Sequence, residues 1–445
     1  MKKKIGGIIS RARANQHLWE VMKGSSSALM IRTLGTLIGF AVSVMIARLL
    51  GAEGSGIYYL AISVATIAAT FGRLGFDNTV VRFVATHASV QEWGAVKFVY
   101  CTAMKVVSVV SALISITLFL GAEWVANALF DKPYMELPLK LVSVSILPLS
   151  IAMIQAESLR GLKSIPASQW IKTVITSLGT LLLLYPLVWL MGANGAVTAY
   201  AVSIIATALA AWLMWQRVLK SRCDTQEVSQ NKYSMEVLFR SSWPLFGVAV
   251  TGLVMQHAAT IFLGVWGNAE DVGVYNVANR IAALLLFPLM AMISILTPKF
   301  AAMHKLGKTE DLARLARNSS KMLTIFALFA AILVAVSADW MMSIFGADFK
   351  EGATILRILL IGVVINASTG AVAELLMMCG RERLVGLGVF SSAALTLLLC
   401  AILIPKYGMV GAVIAATSGM AVQNALMVLA VKSKLGFWPV AYFQK

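Results

Sequence analysis

Two arginines lie deep in long apolar stretches of this sequence. Arg32 and Arg280 each have apolar residues on both sides, and neither stretch contains an acidic residue. An arginine at the middle of a membrane-spanning helix costs about 2.5 to 3.5 kcal/mol on insertion scales, so it needs a wet cavity or a partner. Because a guanidinium presents a fork of donors that matches phosphate oxygens, both residues are candidates for binding an anion. The alternative is that they bond carboxylates or backbone carbonyls and lock one conformation.

Further polar residues accompany these arginines. Asn276, Asn279 and Arg280 share one face of a helix, which makes that face polar and cationic. Gln256 and His257 stand in the middle of a neighbouring apolar stretch, where a histidine can titrate near neutral pH or hydrogen-bond across helices. We predict that these residues contribute to substrate binding. For His257, a packed and satisfied side chain is the alternative.

One acidic residue stands close to a basic one at the end of an apolar stretch. Asp77 follows Arg73 by four residues, a spacing that places the two side chains together on a helix. The pair is expected at the cytoplasmic end of that stretch. It is interpreted either as an inner-gate salt bridge or as an ordinary pair at a helix end.

Two further acids, Glu157 and Glu374, lie near the ends of apolar stretches and close to Arg160 and Arg381. Local ion pairing explains them simply. A role in proton coupling or gating is the alternative, because carboxylates in apolar surroundings shift their proton affinity. Both readings stay open on the sequence alone.

Sequence motifs for chemistry on a bound substrate are absent. The chain has no complete Gly-x-x-x-x-Gly-Lys-Ser/Thr phosphate-binding loop and no nucleophile motif, and its four cysteines show no metal-ligand spacing. We therefore predict a protein that is not an enzyme, with no catalytic residue, no metal and no cofactor. If the chain moves a substrate across a membrane, this movement would be coupled to an H⁺ or Na⁺ gradient or be driven by removal of the product.

The elements that position these residues are apolar helices. Of the residues, 59% are hydrophobic and only 13% are charged, against about a quarter in soluble proteins. About 20 apolar residues cross a hydrocarbon core of about 30 Å, and runs of this length lack the alternation of a barrel. The sequence predicts an all-α polytopic membrane protein. The predicted spans 1 to 12 are 25–49, 57–74, 98–120, 137–159, 167–190, 195–215, 243–265, 272–296, 322–345, 353–379, 384–404 and 409–431.

The basic residues predict the orientation of these spans. The net charge of +17 would suggest nucleic-acid binding in a soluble protein, but here most of the 37 Lys and Arg residues fall in segments on one side of the spans. That side is expected to be cytoplasmic, with both termini, and no nucleic-acid partner is predicted. The few basic residues placed at the outer side are Arg48, Lys132, Lys140, Lys350 and Lys406.

The chain also repeats itself at an offset of about 217 positions. Gly56-Ile57-Tyr58 corresponds to Gly273-Val274-Tyr275, and Gly195-Ala196-Val197 to Gly411-Ala412-Val413. Six spans per repeat give two lobes of the same orientation, as in two-lobed alternating-access transporters. We therefore predict two pseudo-symmetric six-helix lobes around a central cavity. The predicted units are 1–24 (cytoplasmic segment), 25–217 (N-lobe), 218–240 (cytoplasmic linker), 241–431 (C-lobe) and 432–445 (cytoplasmic tail).

Two sequence segments carry a family resemblance. The segments IARLLGAEGSGIY at 46–58 and RLGFDNTVVR at 73–82 resemble Wzx-type polysaccharide flippases, a branch of the multidrug, oligosaccharidyl-lipid and polysaccharide transporter superfamily. The resemblance extends over about 23–431. It implies a V-shaped pair of lobes around a cavity lined chiefly by spans 1, 2, 7 and 8. Related lipid-II flippases commonly carry fourteen helices and cavity arginines, and this chain has no room for two more spans.

Together these observations predict a flippase. It would carry a polyprenyl-diphosphate-linked oligosaccharide, the repeat unit of a polysaccharide, from the inner to the outer leaflet of a bacterial cytoplasmic membrane. The expected partners are that sugar lipid, the membrane lipids, and the polysaccharide polymerase with its chain-length machinery. Alternatives are a drug or cation exporter of the same superfamily, a lipid-II-type flippase, and a membrane-embedded glycosyltransferase. Cation exporters need cavity carboxylates, and a glycosyltransferase needs a catalytic acid and a sizeable loop.

Overall fold

The computed structural model describes residues 16–220 and 235–440, and their regular structure is helical throughout. The first fifteen residues, the last five and most of the predicted linker lie outside these ranges. The α-helices are α1 Gln16–Arg73, α2 Phe76–Ser89, α3 Trp93–Leu120, α4 Ala122–Trp124, α5 Glu136–Gly161, α6 Ile165–Gln169, α7 Thr176–Met191, α8 Ala193–Lys220, α9 Met235–Trp266, α10 Ala269–Leu284, α11 Phe287–Lys305, α12 Thr309–Val336, α13 Ala338–Ser343, α14 Gly352–Thr369, α15 Val372–Met378 and α16 Glu382–Leu435.

Single glycines divide the two longest helices. Gly51 interrupts α1 with φ 67° and ψ −170°, and Gly408 interrupts α16 with φ 51° and ψ −130°. Glycine adopts positive φ at little cost because it has no Cβ. Each of these helices therefore contains two of the predicted spans, which meet at the glycine.

The described residues contain nine stretches that are long and apolar enough to cross a membrane, judged by length and composition. Two of these stretches are the ones divided at Gly51 and Gly408. Predicted span 8 is not among the nine, because a turn at Leu285–Leu286 divides it into α10 and α11. The all-α, polytopic fold class is confirmed, and the count of twelve spans stays a prediction.

The internal repeat is visible in backbone geometry. Gly192, between α7 and α8, has φ 58° and ψ −134°, close to the values of Gly408 at the matching place of the second lobe. A Cβ on Gly195 would lie 1.9 Å from a carbonyl oxygen of the preceding helix, and one on Gly411 would lie 2.4 Å from the matching oxygen. Both lobes thus close the same tight helical hairpin, which only glycine permits at these positions.

The buried core shows which ends of the two lobes are joined. We use "outer end" and "inner end" for the ends that the basic residues predict to face outside and the cytoplasm. One large apolar cluster contains residues of both lobes, including Ala52, Tyr58, Val274 and Phe345 towards the outer end. Two smaller clusters lie towards the inner end, one built mainly by the N-lobe and the other by the C-lobe. The lobes therefore share one core at the outer end, whereas towards the inner end each lobe has mainly a core of its own.

Helix α2 is an element that the span prediction does not include. It follows a break at Leu74 and Gly75, which both have positive φ, and it buries Phe76, Val80 and Val84 against the N-lobe. Its first residues also face the C-lobe, since the Phe76 ring packs edge-on against Phe239 of α9 at 5.4 Å. The helix places Asp77 beside the boundary between the lobes.

Candidate functional site: the cleft between the lobes

Glycines close the outer end of the boundary between the lobes. A Cβ on Gly56 of α1 would lie 1.6 Å from the Ala269 carbonyl oxygen of α10, and one on Gly273 of α10 would lie 2.1 Å from the Ala52 carbonyl oxygen of α1. The two helices therefore touch backbone to backbone. Gly56 and Gly273 are the repeat-related glycines of the sequence, so the contact is pseudo-symmetric. We call this contact the outer seal.

The same two helices diverge beyond the outer seal and leave a cleft. Its cavity has a volume of about 210 Å³. One wall comes from the first segment of α1 and the other from α10 and the start of α11. The lining residues are Thr36, Gly39, Phe40, Arg280, Ala283, Leu284 and Phe287. Among the described residues of this lining, Arg280 is the one that carries a charge, so the cavity favours an anion.

Arg280 reaches across the cleft to the opposite lobe. Its Nη1 donates to the Gly39 carbonyl oxygen at 3.2 Å and to the Ser43 hydroxyl, and its guanidinium lies 5.1 Å from the centroid of the Tyr59 ring. The side chain nevertheless remains exposed, and its second terminal nitrogen makes no hydrogen bond to a described residue. Arg280 therefore forms a bond to a backbone carbonyl, as the alternative interpretation predicted. It also keeps donors in the cavity lining that are not bonded to a described residue.

Arg32 lies on α1 one turn before Thr36, whose hydroxyl donates to the Arg32 carbonyl oxygen at 2.9 Å. The Arg32 side chain is exposed and forms none of the ion pairs or hydrogen bonds among residues 16–220 and 235–440. It is not part of the cavity lining. Arg32 and Arg280 thus belong to opposite lobes, and Arg32 stands outside the cleft that Arg280 lines.

The other predicted binding residues have more varied surroundings. The Asn276 amide donates to the Val272 carbonyl at 2.8 Å and accepts from Thr260 of α9, so its polar atoms serve packing within the C-lobe. Asn279 is half-buried and Gln256 is exposed. His257 Nδ1 lies 3.1 Å from the Ser63 hydroxyl of the N-lobe, while its buried Nε2 has no hydrogen bond among the described residues. His257 therefore joins the two lobes instead of lining the cavity.

Arg73 and Asp77 form the predicted ion pair. Their charged atoms are 3.0 Å apart, and Arg73 Nη2 also donates to Thr70 at 2.8 Å. The pair spans the break between α1 and α2, so that it fixes the angle between two helices. Gly75 lies inside this break, and a Cβ there would be 2.4 Å from the Ser242 carbonyl oxygen of α9. The ion pair consequently holds the segment of the N-lobe that contacts α9 at the inner end.

Exchanging the charges of Arg73 and Asp77 tests whether this ion pair has a gating role. Each single reversal should slow transport, and the double reversal should recover much of it, with a coupling of ~1 kcal/mol in a double-mutant cycle. The matched control is the pair Lys140 and Glu136, which has the same four-residue spacing but lies at the outer end. If the double reversal slows transport as much as the single reversals do, Arg73 and Asp77 are an ordinary pair at a helix end.

The repeat-related acids have different partners in the two lobes. Glu157 is buried and forms ion pairs with Lys172 and with Arg160, the latter at 2.9 Å, which matches the simple reading of local pairing. Glu374 is half-buried and forms none of the ion pairs among the described residues. Of these two acids, Glu374 is therefore the one without a basic partner among the described residues, and it is the better candidate for coupling.

Several functional contacts were not predicted from the sequence. Ser43 and Tyr59 surround Arg280, and Ser63 contacts His257. The sequence contains a signal for Ser43. Gly39 and Ser43 are small residues four positions apart, a spacing typical of close helix packing in membranes. No sequence signal points to Tyr59, since the internal repeat includes the neighbouring Tyr58 instead.

The two-lobed helical fold and the cleft between its lobes define a membrane transporter. Residues 21–304 match the family described as polysaccharide biosynthesis protein, and the chain belongs to this family. The chain is 24% identical over 180 residues to a probable low-salt glycan biosynthesis flippase, Agl15, of Haloferax volcanii; the match covers 40% of this chain and 38% of that protein.

Solved structures share the fold. An inward-facing multidrug resistance MATE family transporter superposes with a TM-score of 0.72 at 15% identity, over 92% of this chain and 98% of that one. The lipid II flippase MurJ in an inward closed conformation gives a TM-score of 0.73 at 12% identity, over 91% of this chain and 87% of that one. These similarities confirm the two-lobed transporter fold.

Proposed function

We propose that the protein flips a polyprenyl-diphosphate-linked oligosaccharide from the inner to the outer leaflet by alternating access. The diphosphate enters the cleft from the inner end, the lipid tail stays in the bilayer, and rocking of the lobes presents the sugar outside. The observation that carries this proposal is Arg280, an exposed guanidinium in the lining of a cleft between two lobes. Membership of a polysaccharide biosynthesis family supports the sugar part of the substrate.

The charge of the cleft favours this function over export of cations. A cation exporter needs carboxylates in its cavity, and the lining residues that the structure describes include an arginine and no acid. Phosphate oxygens accept bidentate hydrogen bonds from a guanidinium, and such charge-assisted bonds are about twice as strong as neutral ones. A lipid-II-type substrate carries the same diphosphate, so that the cleft accommodates either kind of lipid-linked sugar.

The proposal extends to the setting of the protein. We infer a location in a bacterial cytoplasmic membrane with both termini in the cytoplasm, and a transporter that performs no covalent chemistry on its substrate. Glu374 is the proposed site of coupling to H⁺ or Na⁺, since it lacks the basic partners of Glu157. A polymerase and its chain-length machinery would take up the flipped sugar lipid.

Depletion of the protein is the direct test. Mass spectrometry of polyprenyl-linked intermediates should show one diphosphate-linked oligosaccharide that accumulates in the inner leaflet, with full-length repeat units and no polymer. Purified protein in liposomes should then move that lipid to the outer leaflet. If depletion leaves the intermediates unchanged, or if the liposomes accumulate a cationic drug instead, the proposed function is wrong.

A further inference from the structure

Two basic side chains of the N-lobe bind backbone carbonyls of the C-lobe at the outer end. Arg48, near the end of the first segment of α1, donates from Nε to the Ile344 carbonyl oxygen at 2.6 Å. Lys132, in the loop before α5, donates from Nζ to the Gly264 carbonyl oxygen at 2.7 Å and to the Phe130 carbonyl of its own lobe at 3.2 Å. These bonds flank the outer seal and join the lobes.

The two accepting carbonyls belong to helix ends. Gly264 lies in the last turn of α9, and Ile344 directly follows α13. The last carbonyls of a helix lack donors within the helix and carry the negative end of its dipole, so a cation is favoured there. Arg48 and Lys132 are thus bound by uncharged carbonyl groups whose partial negative charge attracts a cation.

Neither cation has a carboxylate within ion-pair distance among the residues that the structure describes. Arg48 and Lys132 are absent from all six ion pairs among the described residues. Burial lowers the pKa of Lys132, and the negative charges of Asp131 and Asp271 oppose this effect. Because carbonyls are weaker partners than charged acceptors, both cations are available for exchange.

We propose that Arg48 and Lys132 form an outer latch, in which cation–carbonyl bonds hold the outer end closed and are exchanged for phosphate oxygens when it opens. The bonds join opposite lobes, so separation of the lobes at the outer end must break both. Each cation then faces the outer mouth and binds an arriving anion. The outward-open form then depends on a bound phosphate group. This dependence is the part of the latch that rests on the proposed function.

The test is the distance between the lobes at the outer end, measured between spin labels. Exposed Glu123 in the N-lobe and Tyr407 in the C-lobe are suitable label sites, with the four native cysteines replaced. Arg48→Gln and Lys132→Gln should each shift the population towards long distances by roughly tenfold, because each removes a charge-assisted bond. Arg48→Lys and Lys132→Arg should stay closed, which shows that the shift does not come from misfolding.

The matched controls are Lys350→Gln and Lys406→Gln, which remove exposed cations predicted at the same end that form no hydrogen bond or ion pair to a described residue. They should leave the distances unchanged. Closed distances in the double variant Arg48→Gln, Lys132→Gln would overturn the latch, and so would equal opening in the controls.

Inorganic pyrophosphate is the probe for the exchange. It should lengthen the distance in the unmodified protein and have no further effect in the double variant, whereas sulfate at the same ionic strength should act weakly. An unmodified protein that stays closed in saturating pyrophosphate would overturn the exchange step. No sugar lipid is present in these measurements, so their failure leaves the flippase proposal intact, and failure of lipid flipping leaves the latch intact.

Discussion

Alanine at Gly56 is expected to prevent closure of the outer end and to abolish transport. The added Cβ would stand 1.6 Å from the Ala269 carbonyl oxygen, which is backbone of the opposite lobe and cannot turn away. Overpacking of this kind costs about 1 to 3 kcal/mol, enough to change the ratio of closed to open forms by roughly 5- to 150-fold. Distances between labels across the outer end and rates of lipid flipping measure both consequences.

A glycine with open space around it serves as the control for this substitution. Gly252 lies on α9 with no atom within 4 Å of its would-be Cβ, so that Gly252→Ala should keep both the distances and the rate. The repeat predicts that Gly273→Ala behaves like Gly56→Ala, since its Cβ would be 2.1 Å from the Ala52 carbonyl oxygen. Normal closure in both variants would contradict the backbone contact of the outer seal.

Glutamine at Arg280 is expected to stop translocation of the sugar lipid while membrane abundance stays near normal. Glutamine removes the charge of the cavity lining, and Arg280→Lys keeps the charge but loses the fork, so lysine should retain part of the rate. The Ser43→Ala variant removes one partner of Arg280 in the N-lobe and leaves the arginine in place. The transport rate, the membrane abundance and the melting temperature are measured for these three variants. Together they distinguish a role of Arg280 in attracting phosphate from a role in holding the two lobes together.

Arg32 extends this series to the opposite lobe. Because Arg32 lies outside the cavity lining, Arg32→Gln should reduce transport less than Arg280→Gln does. The double glutamine variant should be inactive. Normal flipping by a well-expressed double variant would exclude binding of the diphosphate by these arginines. A loss of melting temperature that precedes any loss of transport would identify them as structural locks.

The sequence predicts the helices of this fold better than their contacts. Apolar length and the deep position of Arg280 are local properties, and the structure places Arg280 in a cleft between lobes. The repeat-related triplets at Gly56 and Gly273 are visible as a pattern, but their role is a close approach of two backbones. Such a contact depends on the crossing of α1 and α10, which no local property of either segment specifies. Helix α2 was missed because it is short and only partly apolar.

The two repeat-related acids also show that the sequence predicts local features better than contacts. Glu157 and Glu374 occupy equivalent positions, and each has an arginine nearby in sequence. The structure gives basic partners to Glu157, one of them Lys172, which is distant along the chain. Ion pairing depends on which helices pack together, so equal sequence patterns lead to unequal electrostatics. The asymmetry between the lobes therefore emerges only in three dimensions.

The outer seal has an electrical consequence. A protein that holds a cavity between two lobes would short-circuit the membrane if water formed a continuous file through it. Where α1 crosses α10, the contact of Gly56 with the Ala269 carbonyl leaves no room for a methyl group, and a water oxygen at the same position would also lie far inside the ~2.7 Å of a hydrogen bond. Insulation at this crossing is provided by peptide groups whose positions do not depend on rotamers. A contact of this kind would keep a membrane insulated at the outer end while the cleft is open.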